Sequence, residues 1–179
     1  MTDKKLTANF KLSEFISADP TDYQLQLLQI LADNLQLVRT FLQEFVQTGK
    51  KSVSITITSG VRTQADYERL VKNGYNPSKT SDHFCGYQLT AKPTLGAADI
   101  TVKNCSLSLK AIAAKIIEWD KAGLVHFGQV IYEKNPKTGS EWIHLGNDPK
   151  LIFNHNIDVQ REKYLMSLDN GKTYKKFKL

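Results

Sequence analysis

A chain of 179 residues that is 41% hydrophobic and 23% charged has the composition of a globular protein and the length of one domain with a sizeable core. No apolar run reaches the roughly 20 residues of a membrane span, and the N-terminal MTDKKLTANFKLSEF lacks the apolar stretch of a secretory signal. We therefore expect synthesis in a cytoplasm, without export by the usual route and without a membrane span. The net charge of +6, gathered partly in KTYKKFKL and at Lys50-Lys51, admits an anionic partner, although a solvated lysine surface is the simpler account and the one we favour.

In chain order, residues 20–48 predict a long helix, because Leu28, Leu31, Leu35, Val38, Leu42 and Phe45 recur at three- and four-residue steps. Asp19-Pro20 offers an N-cap with proline in the first turn, and Gly49 lies just past the end. VSITIT (53–58) alternates strictly and predicts a strand with Val53, Ile55 and Ile57 on one face. Thr63 and Asp66 form a capping-box pattern for a short helix to about Val71, closed by Asn73-Gly74. Residues 75–96 carry prolines, glycines and polar residues without a period, and predict a long exposed loop.

AADITV (97–102) reads as a buried strand and LKAIAAKIIEWDKAG (109–123) as an amphipathic helix ending at Gly123. GQVIYE (128–133) and EWIHLG (141–146) read as antiparallel strands joined by a turn with Asn135-Pro136 and Gly139, and NGK (170–172) as a hairpin turn. This order predicts an α+β domain, a small mainly antiparallel sheet with helices packed on it. We take residues 1–179 as a single domain: a helical N-terminal part (10–48), a motif-bearing core (about 50–148) and a basic C-terminal extension (149–179). Two cysteines, Cys85 and Cys105, make no disulfide framework and read as buried free thiols.

Three polar residues interrupt apolar or turn contexts: His83 in TSDHFCG, Asp99 in GAADITV and His144 in EWIHLG. Two imidazoles and a carboxylate suit a three-ligand catalytic zinc site with a fourth position for water. Spacing alone also allows an aspartate that merely caps a turn. His126 and His155 read as surface or capping histidines, Trp119 as packing, and Cys85 as a thiol rather than a ligand.

The ordered set S-x-H-x-x-G, G-A-A-D-I and E-W-I-H, together with NFKLSEF and ITSGVRT, resembles the zinc D-Ala-D-Ala metallopeptidase family, in particular its short bacteriophage-encoded members. The resemblance spans roughly residues 9–148 and implies a hedgehog/DD-peptidase-like fold. It further implies that His83, Asp99 and His144 bind Zn²⁺, that Glu141 is the catalytic acidic residue, that Arg62 binds or polarises the substrate carbonyl, and that Ser81 touches substrate. Residues three apart in a regular strand face opposite sides, so Glu141 must sit at the strand's start, or a bulge must turn it back. The family keeps its first histidine and its aspartate close, as H-x-x-G-x-A-x-D, whereas here YQLTAKPTL (87–95) stands between Gly86 and Gly96.

The function so implied is hydrolysis of amide bonds in peptidoglycan stem peptides by a phage lysin or virion-associated enzyme, acting on the cell wall after release or beside other virion proteins. The alternatives are a non-catalytic virion or wall-binding protein that keeps the fold, which the insertion favours, and a nucleic-acid binder. The last rests on charge alone, with no clustered basic residues interleaved with aromatics, and no nucleic-acid partner is expected.

Overall fold

Thr21, rather than Asp19, opens the first helix. In the computed structural model, which describes residues 3–74, 77–86, 94–152 and 163–178, the Thr21 hydroxyl accepts from the Gln24 N–H at 3.2 Å and the Gln24 side-chain oxygen accepts from the Thr21 N–H at 3.0 Å. This reciprocal box satisfies two donors that an Asp19 cap would leave open, and helix α1 runs Asp22–Leu42. It stops short of residue 48. The chain tightens into a 3-10 turn at Gln43–Phe45, and the Gln47 N–H then donates to the Asn104 carbonyl at 2.8 Å, drawing the segment out alongside Cys105.

Strand β1 is Ser54–Ser59 and helix α2 is Gln64–Lys72, the latter capped by Thr63 and Asp66 as the pattern predicts. Strand β2 (Ala97–Lys103), helix α3 (Leu109–Lys121), strands β3 (Phe127–Lys134) and β4 (Glu141–Asn147), and the short helix α4 (Pro149–Ile152) follow. Strand β5 (Tyr164–Ser167) and strand β6 (Lys175–Lys176) are joined through Asn170 and Gly171, both at positive φ, the hairpin turn expected at NGK. The result is an α+β fold with an open six-stranded sheet in the order β1-β2-β4-β3-β5-β6, antiparallel except where β5 runs parallel to β3. The C-terminal segment thus adds two strands to the sheet instead of trailing from it. No helix among the described residues is long and apolar enough to cross a membrane.

One face of the central strands carries Ala98, Ile100, Val130, Ile143 and Leu145, all fully buried against Leu28, Leu31, Leu35 and Val38 of α1 and Ile112 and Ile116 of α3. The apolar stripe read from the sequence is therefore the wall of the core. Trp119 of α3 packs on Phe41 at 5.3 Å between ring centroids.

The expectation of a long exposed loop over 75–96 is corrected for most of its described part. Asp82–Phe84 form a buried 3-10 turn, Cys85 follows buried at φ +43, and Thr94–Gly96 are buried as well. Buried backbone must find partners, and Asp82 supplies them. Its carboxylate accepts from the Leu95 N–H at 3.0 Å and its carbonyl from the Gly96 N–H at 3.1 Å, while the Gly86 N–H donates to the Thr94 carbonyl at 2.9 Å. Residues 75–76 and 87–93, including most of the YQLTAKPTL insertion, lie outside the described residues, but these bonds pin the two ends of the insertion together.

Candidate metal centre

Strand alternation sorts the site residues. β2 and β4 pair with Asp99 directly opposite His144 and Ile100 opposite Ile143. With Ile100 and Ile143 committed to the core, Asp99 and His144 project together from the other face. His83 descends onto that face from the 3-10 turn, its ring 4.9 Å from that of His144. His83 Nε2 lies 3.2 Å from Asp99 Oδ1 and 3.1 Å from His144 Nδ1, and His144 Nδ1 lies 3.0 Å from Asp99 Oδ1. The structure therefore brings together the three residues named from the sequence, each offering one ligand atom within 4.8 Å of the others.

The SGVR turn orients the first of them. His83 Nδ1 donates to the Gly60 carbonyl at 2.7 Å, and since a carbonyl only accepts, the proton sits on Nδ1 and Nε2 is left to face the cluster. Gly60 occupies its place because any Cβ there would stand 2.1 Å from the Phe15 carbonyl oxygen. The neighbouring bonds, Val61 N–H to Phe15 O at 2.6 Å and Arg62 N–H to His83 O at 2.7 Å, tie the turn to the N-terminal segment and to the ligand turn at once.

Burial makes this cluster short of protons. His83 is 3% and His144 8% exposed, so water contributes little. Burial by itself would raise the Asp99 carboxyl, yet the attraction and hydrogen bonds of His83 and His144 hold it well below the usual carboxylate range. Burial also disfavours a charged His144, but Asp99, Glu133 and Asp82 together raise it. The ring nitrogens of His83 and His144 are the proton donors available to Asp99 within this cluster, all three atoms lying within 3.2 Å of one another. A divalent cation at the centre would satisfy all three lone pairs, and two imidazole nitrogens with one carboxylate oxygen match zinc, leaving a further position open. The residues present fit the metal.

Glu141 does not share this face. Register is regular from Ile131↔His144 to Lys134↔Glu141, so no bulge turns Glu141 back, and its start-of-strand position does not rescue it. It lies on the Ile143 side, accepting from Lys134 Nζ at 2.8 Å. That bond, aided by one from Tyr132 and opposed by slight burial, lowers its pKa. The expectation that Glu141 faces the metal is corrected by simple strand parity.

The carboxylate that does share the face is Glu133, which the sequence reading passed over. It pairs with Trp142 across β4 and with Ser167 across β5. It is 8% exposed, and burial pushes it up to about 7 against the opposing pull of His144, with Asp99 adding to the rise and a Trp142 hydrogen bond tempering it. Its signal was parity: in QVIYE, Glu133 alternates in phase with Ile131, which opposes His144. Reading it required the register of the 134–141 turn, set by the Asn135 N–H to the Ser140 carbonyl at 2.8 Å.

Arg62 sits beside the centre, half-buried; burial lowers its pKa while Asp99 and Asp66 act to raise it. It lines a cavity of about 390 Å³ with Ser13–Ser17, Val61, Asp66 and Arg69. Ser81 stands half-buried at the head of the ligand turn. Cys85 is buried and its thiol pushed up to about 12, chiefly by that burial, while Cys105 is half-buried; both are free. His126 is exposed, and His155 lies outside the described residues. Comparison with models of protein families, with curated proteins and with solved structures gives no match.

Proposed function

We propose that this chain is a zinc-dependent peptidase that hydrolyses amide bonds in bacterial peptidoglycan stem peptides, as a phage lysin or virion-associated enzyme. The observation that carries the reading is the convergence of His83 Nε2, Asp99 Oδ1 and His144 Nδ1 on one point, with Glu133, a carboxyl poised near 7, on the same face. The choice of stem peptides rests on the motif resemblance, and the net charge of +6 suits encounter with an anionic wall.

Zinc, when bound, supplies a Lewis acid that acidifies water and polarises a carbonyl. The remaining roles fall to the chain. Glu133, dry and close to neutral in its proton affinity, accepts the proton of the attacking water and returns it to the departing amine, the task for which a pKa near 7 is matched. This assigns to Glu133 the role that the motif resemblance gives Glu141. Arg62, a permanent cation beside Asp99, stabilises the oxygen on which negative charge develops. The N–H bond from His83 to Gly60 holds the ligand ring in its working tautomer, as second partners of metal-binding histidines do.

The test is muropeptide analysis of purified cell wall incubated with the protein, with and without a chelator, alongside elemental analysis. The expected result is about one zinc per chain and chelator-sensitive release of new amino termini. Full zinc with no product would overturn the peptidase reading in favour of a wall-binding or virion protein that keeps the site.

A further inference from the structure

The hairpin turn that closes the chain brings Tyr174 to the metal-ligand face. Asp169 builds the turn: its carboxylate accepts from Ser167 Oγ at 2.8 Å, from the Lys172 and Thr173 N–H groups at 3.1 and 2.9 Å, and from Thr173 Oγ1 at 2.6 Å. The Gly171 N–H donates to Ser167 Oγ at 2.9 Å and the Asn170 N–H to the Lys134 carbonyl at 3.0 Å. The turn is thereby fastened to the strand residue next to Glu133, and Ser167 itself pairs with Glu133.

Gly171, at φ +75, lies between the two groups that matter. A Cβ there would meet Tyr174 Oη at 3.0 Å and Glu133 Oε2 at 3.2 Å, so the phenol and the carboxylate flank one bare backbone position. Tyr174 is 47% exposed, too open for a residue whose purpose is packing. Burial of its hydroxyl, and the charges of Glu133 and Asp99, push it up to about 12, which keeps the O–H a donor under all ordinary conditions.

We propose that Tyr174 is a substrate-positioning residue: it stands beside Glu133 on the face that carries Asp99 and His144, and its O–H donates to a backbone carbonyl of the bound peptide. The inference rests on the peptidase reading above. An acceptor is the right partner because the phenol keeps its proton, and a peptide laid along a sheet face offers a carbonyl at every residue. A turn this well bonded holds the donor in place before substrate arrives, which is what positioning requires.

The experiment compares the wild type with Tyr174→Phe, which removes only the hydroxyl of an exposed ring. Zinc content, thermal midpoint, kcat and KM would be measured on a purified disaccharide-pentapeptide and its cross-linked dimer. Binding of the same muropeptides to the zinc-free proteins would be followed by calorimetry. We expect unchanged zinc and midpoint, a KM raised about 3- to 10-fold with little change in kcat, and an equal loss of affinity in the zinc-free protein, the scale of one hydrogen bond. Wild-type KM and affinity in Tyr174→Phe, with the wild type cleaving, would overturn the role of Tyr174 alone. Loss of zinc or of stability would show a structural tyrosine and also overturn it. A wild type that cleaves neither substrate would overturn the peptidase reading and this inference with it.

Discussion

The two faces of strands β2, β4 and β3 are both largely shielded from water at their centres and chemically opposite. On one, Ala98, Ile100, Val130, Ile143 and Leu145 are buried against α1 and α3, and polarity begins only at the rim, where Glu141 meets Lys134. On the other, Asp99, His144 and Glu133 occupy positions just as central, and His83 covers them. The difference lies in how each carboxylate is satisfied. Glu141 has a cation within 2.8 Å and a side chain 30% exposed, so its charged form is comfortable and its proton affinity low. For Glu133 burial outweighs the pull of His144, and its proton affinity is raised. An acid that is already neutralised serves structure, while one whose proton affinity burial has raised is available for chemistry.

The sharpest way to break this contrast is at the ligands. His83→Ala and His144→Ala should each lose most of the bound zinc, a fall in affinity of about 100-fold or more, whereas Glu141→Ala should keep it. Elemental analysis after dialysis measures both. Full occupancy in the histidine variants, with the fold intact by circular dichroism, would remove the ligand assignment.

Next comes the choice between the two glutamates. Glu133→Gln keeps the size and hydrogen-bonding reach of the side chain but not its proton, and should lower turnover of muropeptides by about 10²-fold or more with zinc retained. Glu141→Gln should leave turnover near wild type. The reverse outcome would restore the motif-based role of Glu141 and imply that the strand departs from its regular register when substrate binds.

Much of this was legible in the sequence, and the rest was hidden for definite reasons. The stripe Leu28 to Leu42, the VSITIT alternation and the Thr63–Asp66 box are local signals; the last two give their elements to within a residue or two, while the stripe gives the start of α1 but carries its end from Leu42 on to residue 48. The end of α1 was not local: Gln47 leaves the helix because Asn104 accepts its N–H. Likewise the burial of Asp82–Cys85 depends on Leu95 and Gly96 returning to Asp82, contacts that composition does not encode. His83, Asp99 and His144 stood out because each interrupts an apolar or turn context. Glu133 sits in an equally apolar run, but its face is defined only by pairing with β4, and Tyr174 only by a turn that folds back on β3.

A pH test sharpens the contrast thermodynamically. Glu133 titrates near 4.5 when free and near 7 in the fold, so the native state holds a proton that the unfolded chain gives up between those values. Its folded pKa is raised, and the corresponding stability is therefore present below about 4.5 and lost as pH rises through about 7. Glu133→Gln cannot ionise. In zinc-free protein it should exceed the wild type by on the order of 1–3 kcal/mol at pH 8, a gap that closes near pH 4. Urea unfolding at the two pH values measures it, and a gap independent of pH would mean that Glu133 is not desolvated as described.

The smallest effect belongs to the rim. The Lys134–Glu141 pair spans two directly opposed positions at the turn end of the β3–β4 hairpin, with side chains 41% and 30% exposed. Solvent screens such a pair, and ordering two long side chains offsets most of the Coulomb gain. A double-mutant cycle with Lys134→Met and Glu141→Gln should therefore give a coupling of about 0.2–1 kcal/mol, falling further in 1 M salt as the Debye length shrinks to about 3 Å. The Tyr132 hydroxyl, which also bonds Glu141, sets the upper side of that range, because it survives the loss of Lys134 and keeps the carboxylate partly satisfied. A coupling of several kcal/mol that resists salt would place this pair in a much drier setting than its exposure implies, and the distinction drawn between a structural Glu141 and a chemical Glu133 would then lose its physical basis.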